Sequence, residues 1–247
     1  MTSIQDIVDA FVTRVNDQDL NIAEDINALQ IGVSLLASST YSWIDVSDTW
    51  TYASATTITV PSGAASLYSV GTKLKMTNSG TKYNYVVAVA DTLLTVRGDG
   101  VANAAITVPQ YSNIASPVGF PHYFAYTPTG IAASNVTLSG RFSMTGRTCK
   151  VDFLAVFTGG ITFTTMPTLP VPVGASYKTI GESYDNAGQG SYVDASVGIV
   201  VGTIFPGLSG SATTVYIHTD SGAAISTIVP ITWANGDNLS LHFEYEI

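Results

Sequence analysis

The chain has 247 residues, of which 46% are apolar and only 11% are charged, so it can bury a sizeable core and is not intrinsically disordered. Its 31 Thr, 25 Ser and 22 Gly predict a mainly β protein, because Thr favours strands whereas Ser and Gly favour turns. The net charge is −9, and residues 1–48 alone carry −7. This balance argues against nucleic acid or an anionic membrane surface as a partner.

The sequence also restricts the compartment and the cross-links. The single Cys149 excludes a disulfide within the chain and a Cys-based zinc site. No apolar run reaches the length of a membrane span, so we expect no membrane insertion. The first residues lack a basic segment followed by an apolar stretch, which is the pattern of a secretory signal. We therefore expect the protein to fold in a cytosol.

Residues 3–37 carry the one clear helical pattern. Apolar residues recur every seven positions and others fill the second half of each repeat, as in the a and d positions of a coiled coil. The stripe consists of Ile4, Val8, Phe11, Val15, Ile22, Ile26, Leu29, Val33 and Leu36. Gln18 and Asp25 fall at d positions, so the pattern shifts from d toward e after the second heptad. We predict that residues 1–40 form a helix for trimerisation and attachment; packing of a single amphipathic helix on the β body is the alternative.

The middle of the chain predicts short strands. We predict a small antiparallel β domain at residues 41–110, because residues 56–110 alternate between apolar and polar positions and Asn78-Ser79-Gly80 is a hairpin turn signal within them. Residues 38–55 are Ser/Thr-rich and are interpreted as the junction between helix and body. Residues 111–128 combine prolines with aromatic residues. We predict an ordered linker there, because aromatic side chains need a surface on which to pack.

Residues 129–247 alternate again between apolar and polar positions, most clearly at 149–157 and 239–247. Strands with one apolar and one polar face predict a β-sandwich. The predicted fold class is thus mainly β, with an N-terminal α-helix of coiled-coil type, a small antiparallel β domain and a C-terminal β-sandwich of the jelly-roll type.

Several motifs of the body point to a known family. They are Tyr126-Thr127-Pro128-Thr129, Leu138-Ser139-Gly140-Arg141-Phe142, Gly146-Arg147-Thr148-Cys149-Lys150-Val151, Leu169-Pro170-Val171-Pro172, Pro230-Ile231-Thr232-Trp233-Ala234-Asn235-Gly236-Asp237-Asn238-Leu239 and Tyr245-Glu246. The stretch that carries them resembles a widespread β-sandwich domain at the ends of tailed-bacteriophage virion proteins. The segment from Trp50-Thr51-Tyr52 through Ile106 resembles a module found beside that domain in phage and prophage proteins.

The resemblance implies a structural virion protein of a tailed bacteriophage. We expect a homotrimeric fibre or spike on the particle surface that adheres to the host, since such domains are usually trimeric, with a stalk joined to the particle and the sandwich pointing outward. The implied partners are two further copies of the chain, a capsid or tail protein bound through the N-terminal region, and a host surface glycan. Synthesis would take place in the host bacterial cytoplasm. The alternative is a capsid decoration or head-fibre protein that docks on the shell through its acidic N-terminus and stabilises it.

The residues themselves give little support for catalysis. The chain has no nucleophile elbow, P-loop, dinucleotide fingerprint or metalloprotease motif. His122, His218 and His242 lack ligand-like spacing, and His242 is interpreted as a solvated strand residue. A polysaccharide hydrolase is the minor alternative, but it needs a carboxylate pair, and Glu244 with Glu246 better fits a solvated edge. We therefore expect no enzymatic activity, no metal and no cofactor.

Residues 182–194 are predicted to form a loop with weak ligand-binding candidates. These are Tyr184, Asp185, Asn186 and Tyr192. Aromatic faces beside amide and carboxylate groups suit sugars, and an ordinary polar loop is the alternative.

Two further polar residues, Asp99 and Asp237, lie in turns, and the backbone conformation of a turn explains why aspartate occurs there. Cys149 falls in the apolar phase of its strand, which predicts a small buried hydrophobic residue.

Overall fold

The chain divides into two compact units, residues 1–44 and 45–247. The computed structural model describes residues 4–39, 42–130, 135–160, 167–172, 185–197, 199–208, 213–219 and 230–247, with the backbone alone for 19, 20, 23, 25, 27–39, 185, 186, 199–205 and 207. These residues are mainly β, with two antiparallel sheets and one long N-terminal helix. The coarse fold class predicted from the sequence is therefore confirmed.

Helix α1 runs from Ile4 to Ser39 and has 36 residues, so it is about 54 Å long. Its bounds agree with the predicted range to within two residues. Asp6 lies in the first turn, where a negative charge interacts favourably with the helix dipole. The side-chain amide of Gln5 donates a hydrogen bond of 2.9 Å to Asp9, one turn further along.

The first sheet covers residues 44–112. Its strands are β1 (Ile44–Asp45), β2 (Thr51–Ser54), β3 (Thr57–Thr59), β4 (Lys73–Thr77), β5 (Thr81–Ala90), β6 (Leu93–Gly98) and β7 (Thr107–Ser112), with a one-turn helix α2 (Ala64–Leu67) before β4. The strand order is β1-β7-β4-β5-β6-β3-β2. The predicted turn joins β4 to β5: Ser79 and Gly80 have φ of 54° and 108°, and such left-handed residues match the twist of a hairpin.

The second sheet covers residues 124–246. Its strands are β8 (Phe124–Tyr126), β9 (Val136–Thr145), β10 (Thr148–Phe157), β11 (Asp185–Asn186), β12 (Gly188–Asp194), β13 (Ile199–Leu208), β14 (Tyr216–Thr219) and β15 (Asn238–Glu246). The order is β11-β13-β12-β15-β10-β9-β8, and β14 also pairs with β13. The described part of 182–194 is thus strand, and the predicted loop is wrong there, because β12 is inserted between β13 and β15.

The finer fold predictions concern the β-sandwich, the domain boundaries, the coiled coil and the linker. The described strands from β8 to β15 form one sheet, so the jelly-roll sandwich stays a prediction, as do the predicted domain boundaries and the coiled coil. The aromatic residues of 111–128 do pack: Phe120 and Phe124 both make edge contacts with Tyr85, at centroid distances of 4.9 and 5.5 Å.

The core of the second sheet follows from the two-residue period of its strands. In β10 the odd-numbered residues from Cys149 to Phe157 are buried and the even-numbered ones face outward or are partly exposed. Phe157 packs on Trp233 with ring centroids 4.5 Å apart. Cys149 is fully buried, as predicted, and burial raises the pKa of its thiol to about 12. This thiol is therefore a packing group at neutral pH.

The two sheets meet through aromatic and cationic side chains. Tyr85 of the first sheet belongs to the hydrophobic cluster of the second. The ammonium of Lys73, itself only 3% exposed, lies 5.7 and 5.9 Å from the ring centroids of Tyr85 and Phe120. Arg97 donates from Nε to the carbonyl of Pro170 at 3.2 Å. These contacts join the sheets, and neither cation forms an ion pair with a carboxylate in the part of the chain that the structure describes.

The turns at this joint leave no room for side chains. Gly71 has φ of +91°, and a Cβ there would lie 2.3 Å from the backbone oxygen of Gly146 in the β9–β10 turn. Gly80 has φ of +108° but open space around it. We expect Gly80→Ala to lower the free energy of unfolding by about 1 kcal/mol, through backbone strain alone. Gly71→Ala should cost clearly more, roughly 2–4 kcal/mol, because the two backbones must separate.

Urea unfolding of the two variants beside the parent protein measures this difference. Equal losses for Gly71→Ala and Gly80→Ala would show that the close approach of the two turns contributes nothing to stability.

Candidate functional site

The apolar stripe of α1 is exposed wherever its side chains are described. Ile4, Phe11 and Ile22 are 83%, 66% and 55% exposed. Val8, Val15 and Ile26 are exposed as well, whereas only the backbone is described at Leu29, Val33 and Leu36. Ile7 and Val12, which the predicted set omitted, widen the stripe on both sides. A row of large exposed apolar residues marks an interaction surface, and its role in trimerisation stays a prediction.

The predicted ligand-binding residues do not come together as a described site. Tyr184 lies outside the described residues, and Asp185 and Asn186 form β11 with only their backbone described. Tyr192 is 8% exposed and packs edge-on against Trp233, with centroids 6.2 Å apart. This corrects the prediction for Tyr192: it lies in the inward phase of β12, so its ring face is not available to a sugar.

A row of charged and polar side chains crosses the outer face of the second sheet. The register pairs Asp152 of β10 with Arg141 of β9 on one side and with His242 of β15 on the other. Arg141 donates from Nε to Oδ2 of Asp152 at 2.6 Å. Nδ1 of His242 donates to the other carboxylate oxygen, Oδ1. We call Arg141, Asp152 and His242 the polar row.

The aromatic ring of Tyr123 extends the polar row at one end. The guanidinium carbon of Arg141 lies 4.5 Å from the centroid of this ring, a cation–π contact. Arg141 is thus held by a carboxylate on one side and a ring face on the other. Side chains fixed in this way lose little further freedom when a ligand binds.

The polar row changes the acidity of its central carboxyl group. Partial burial by itself raises the pKa of Asp152, but the hydrogen bonds from His242 and Arg141, together with their charges, outweigh it and hold the pKa below its ordinary value. The carboxylate also raises the pKa of Arg141 by hydrogen bonding and by its charge. At neutral pH Asp152 is therefore an anion, and an acceptor with lone pairs to spare.

Neighbouring rows on the same face are polar too. Lys150 and Glu244 form an exposed ion pair of 3.6 Å, which agrees with the interpretation of Glu244 as a solvated residue. Beside the polar row a hollow of about 390 Å³ is lined by Ser139, Gly140, Arg141, Asp152, Phe153 and Leu154. This hollow and the polar row together are the candidate site.

A second cavity of about 270 Å³ lies beside the joint of the two sheets. Its walls include Tyr85, Phe120 and His122, with hydroxyl groups of Ser116, Ser143 and Thr145. Desolvation lowers the pKa of the buried Lys73, whose ammonium lies above two of these rings. Because of these cation–π contacts, we interpret Lys73 as a packing residue of the joint.

The described residues contain neither a metal cluster nor a helix suited to a bilayer. Across the described ranges, no three His, Cys, Asp or Glu side chains are grouped so that they could hold a metal ion. No helix within the same ranges combines the length and apolarity that a membrane crossing requires. The carboxylates of the predicted turns have structural roles: Asp237 accepts hydrogen bonds from the backbone of Ala234 and Ala195, and Asp99 accepts one from Tyr83.

The sequence patterns did not indicate Arg141 and Asp152 as site residues, and they indicated only a solvated role for His242. Each of the three lies in the polar phase of its strand, so the alternation could have placed all three on outer faces. Their meeting depends on strand register, and His242 is 90 residues from Asp152 in the chain. No local pattern encodes that register.

Comparison of the chain with known protein families, with curated proteins and with solved structures gives no match. The functional interpretation therefore depends on the residues and geometry described above.

Replacing Asp152 by Asn tests the polar row. Since the folded-state pKa of Asp152 lies below its value of about 3.9 in an unfolded chain, the stabilisation is present above that pH and is lost as the pH falls through the folded-state pKa. We expect Asp152→Asn to unfold at a lower temperature than the parent protein at pH 7. The difference should shrink toward zero in acid.

Thermal unfolding followed by circular dichroism at several pH values measures this effect. Glu244→Gln is the control, because its 3.6 Å exposed pair with Lys150 contributes little. A stability of Asp152→Asn equal to that of the parent at pH 7 would contradict the prediction.

Proposed function

We propose that the chain is a structural protein of a tailed bacteriophage that forms homotrimers through α1 and displays its β body on the particle surface. The observation that carries this proposal is the apolar stripe of the 36-residue helix α1, which is exposed at every described stripe side chain from Ile4 to Ile26. Exposed large apolar side chains at heptad spacing are unfavourable in water unless another surface covers them. Further copies of the same helix cover them best, since each copy offers a stripe of equal length and spacing.

The charges on α1 favour parallel copies in register. With Val8 and Val15 at a positions, Arg14 falls at g and Asp19 at the next e position. In a parallel coiled coil g and the following e of neighbouring chains lie side by side, so each Arg14 would meet Asp19 of another copy. In an antiparallel pair Arg14 would lie near residue 29, and residues 26–39 carry no charge.

The second sheet fits the outward part of such a protein. Residues from outside its strands, including Val171 and Trp233, belong to the cluster that covers its inner face. This supports a second layer, and hence a β-sandwich of the jelly-roll type. The outer face is partly exposed and carries polar side chains beside Leu154 and Val156, as expected for a surface that meets solvent or a ligand.

The role on the particle that we favour is adhesion to the host surface, with the candidate site facing outward. Capsid decoration, in which the N-terminal region docks on the shell, is the second candidate. The charge of −7 in residues 1–48 favours it, because that charge complements a basic capsid surface. Immunogold labelling of intact particles distinguishes the two roles by its position, at the tail tip or over the head.

Two acidic substitutions test the assembly. Phe11→Asp and Ile22→Asp place charges among the a and d residues that would contact each other between copies, which we call the seam. Asn16→Asp places the same charge at a b position, outside the seam. In sedimentation equilibrium the parent and Asn16→Asp should have three times the chain mass of 25.9 kDa. The seam variants should dissociate at concentrations at least tenfold higher. A monomeric parent protein at micromolar concentration would refute the proposal.

Cross-linking tests the orientation. In a Cys149→Ser background, Ile4→Cys should form a disulfide between copies only if the helices are parallel and in register, because antiparallel helices would place the two cysteines about 50 Å apart. Ile22→Cys, near the middle of α1, should cross-link in either orientation. Cross-linking of Ile22→Cys without Ile4→Cys would refute the parallel arrangement and leave self-association intact.

A further inference from the structure

The outer face of the second sheet concentrates charges in a chain that has few. Residues 49–247 contain 18 charged side chains, and four of them, Arg141, Lys150, Asp152 and Glu244, occupy two neighbouring rows across β9, β10 and β15. A solvated sheet face needs only uncharged polar residues, such as the Ser and Thr in which this chain is rich. The concentration of charges therefore makes this face a candidate binding surface.

The hollow beside the polar row combines three kinds of contact. Asp152 offers acceptor oxygens and Arg141 offers donors that its single Nε bond to Asp152 does not use. Ser139 adds a hydroxyl group, which donates or accepts. Leu154 is 39% exposed and supplies an apolar wall. Donors, acceptors and an apolar wall within about 390 Å³ match a molecule with hydroxyl groups on its edge and C–H groups on its face.

The charges of the hollow disfavour an acidic ligand. Among the described residues that line it, Arg141 and Asp152 are the only charged ones, and they neutralise each other. The rest of residues 49–247 carries a net charge of −2, so no excess of cations surrounds this pair. An anionic group would therefore meet the Asp152 carboxylate without an unpaired cation to compensate.

The position of the hollow also disfavours an extended peptide. A peptide that adds to a sheet needs a free strand edge. Here β10 is paired with β9 and β15, and β9 is paired with β10 along its length and with β8 at residues 140–142. Among the described residues beneath the hollow, only the part of β9 before Gly140 lacks a partner on one side, so a ligand in the hollow meets mainly side chains.

We propose that the hollow beside the polar row binds a neutral pyranose unit of a surface glycan, with Asp152 and Arg141 bonding its hydroxyl groups and Leu154 contacting its C–H face. This inference rests on the adhesive role proposed above and assigns it to particular residues. The polar row holds Asp152 and Arg141 in place before the sugar arrives, since His242 and Tyr123 fix the two ends. Three copies on one particle protein would raise a weak affinity per site through multivalency.

The full-length protein on a printed array of neutral and acidic oligosaccharides tests the site. We expect the parent protein to bind neutral glycans. Asp152→Asn removes the charged acceptor and should weaken binding at least tenfold. Ser139→Phe fills the hollow while leaving the polar row intact, and should abolish binding. Glu244→Gln, on the same face but outside the hollow, should bind within twofold of the parent. Circular dichroism confirms that each variant is folded.

Three results would overturn the proposal. One is binding that survives both Asp152→Asn and Ser139→Phe, because the glycan would then bind elsewhere. Another is binding restricted to acidic glycans, because the Asp152 carboxylate should disfavour an anionic sugar. The third is absence of any glycan binding by a parent protein that sedimentation equilibrium shows to be trimeric; this would remove the sugar site and leave the proposed assembly standing. A parent protein that neither assembles nor binds would refute both.

Discussion

The pairing of β10 with both of its neighbours is the interaction on which the second sheet depends. Ten residues of β10 lie opposite β9, and nine lie opposite β15. Since side chains alternate across a strand, this double pairing aligns the apolar phases of three strands on one side and the polar phases on the other. A slip of β10 by one residue against both neighbours would expose Val151 and Phe153 and would bury Asp152. The core and the polar row therefore depend on the same register.

The joint between the sheets is held by side-chain packing rather than by strand pairing. Between the described strands of the two sheets there is no backbone ladder. The joint consists of rings packed edge to face, two buried or half-buried cations, and turns that touch through glycines. Such edge-to-face contacts are worth more than their buried area alone, and they specify orientation. The aromatic residues between the two sheets in sequence thus form part of the core rather than a spacer. This explains why the body from residue 45 onward is one compact unit.

The helix and the body solve the problem of apolar surface in opposite ways. The body buries most of its large apolar side chains within its own sheets, although Leu154 and Val156 are partly exposed on the outer face of β10. The described part of α1 leaves Ile4, Phe11 and Ile22 in solvent. A chain that buries most apolar groups in one part and exposes a regular row of them in another is suited to assembly at the exposed part. The same contrast separates the proposed attachment and display functions along the chain.

The periodic patterns were sufficient for the elements, since heptad spacing predicted α1 to within two residues and alternation predicted the faces of β10 and β15. They failed for residues 185–194, where turn-like composition suggested a loop. Pairing of β12 with β13 and β15 made that segment a strand and buried Tyr192.

The sequence by itself determined the mainly β character, the long amphipathic helix and the absence of recognisable catalytic motifs, because propensity and periodicity are local properties. Only the tertiary structure decided which strands are neighbours, and so brought Arg141 and His242 to Asp152 from opposite sides. Contacts across 90 residues depend on the sum of many weak pairings, and no short segment of sequence carries that sum.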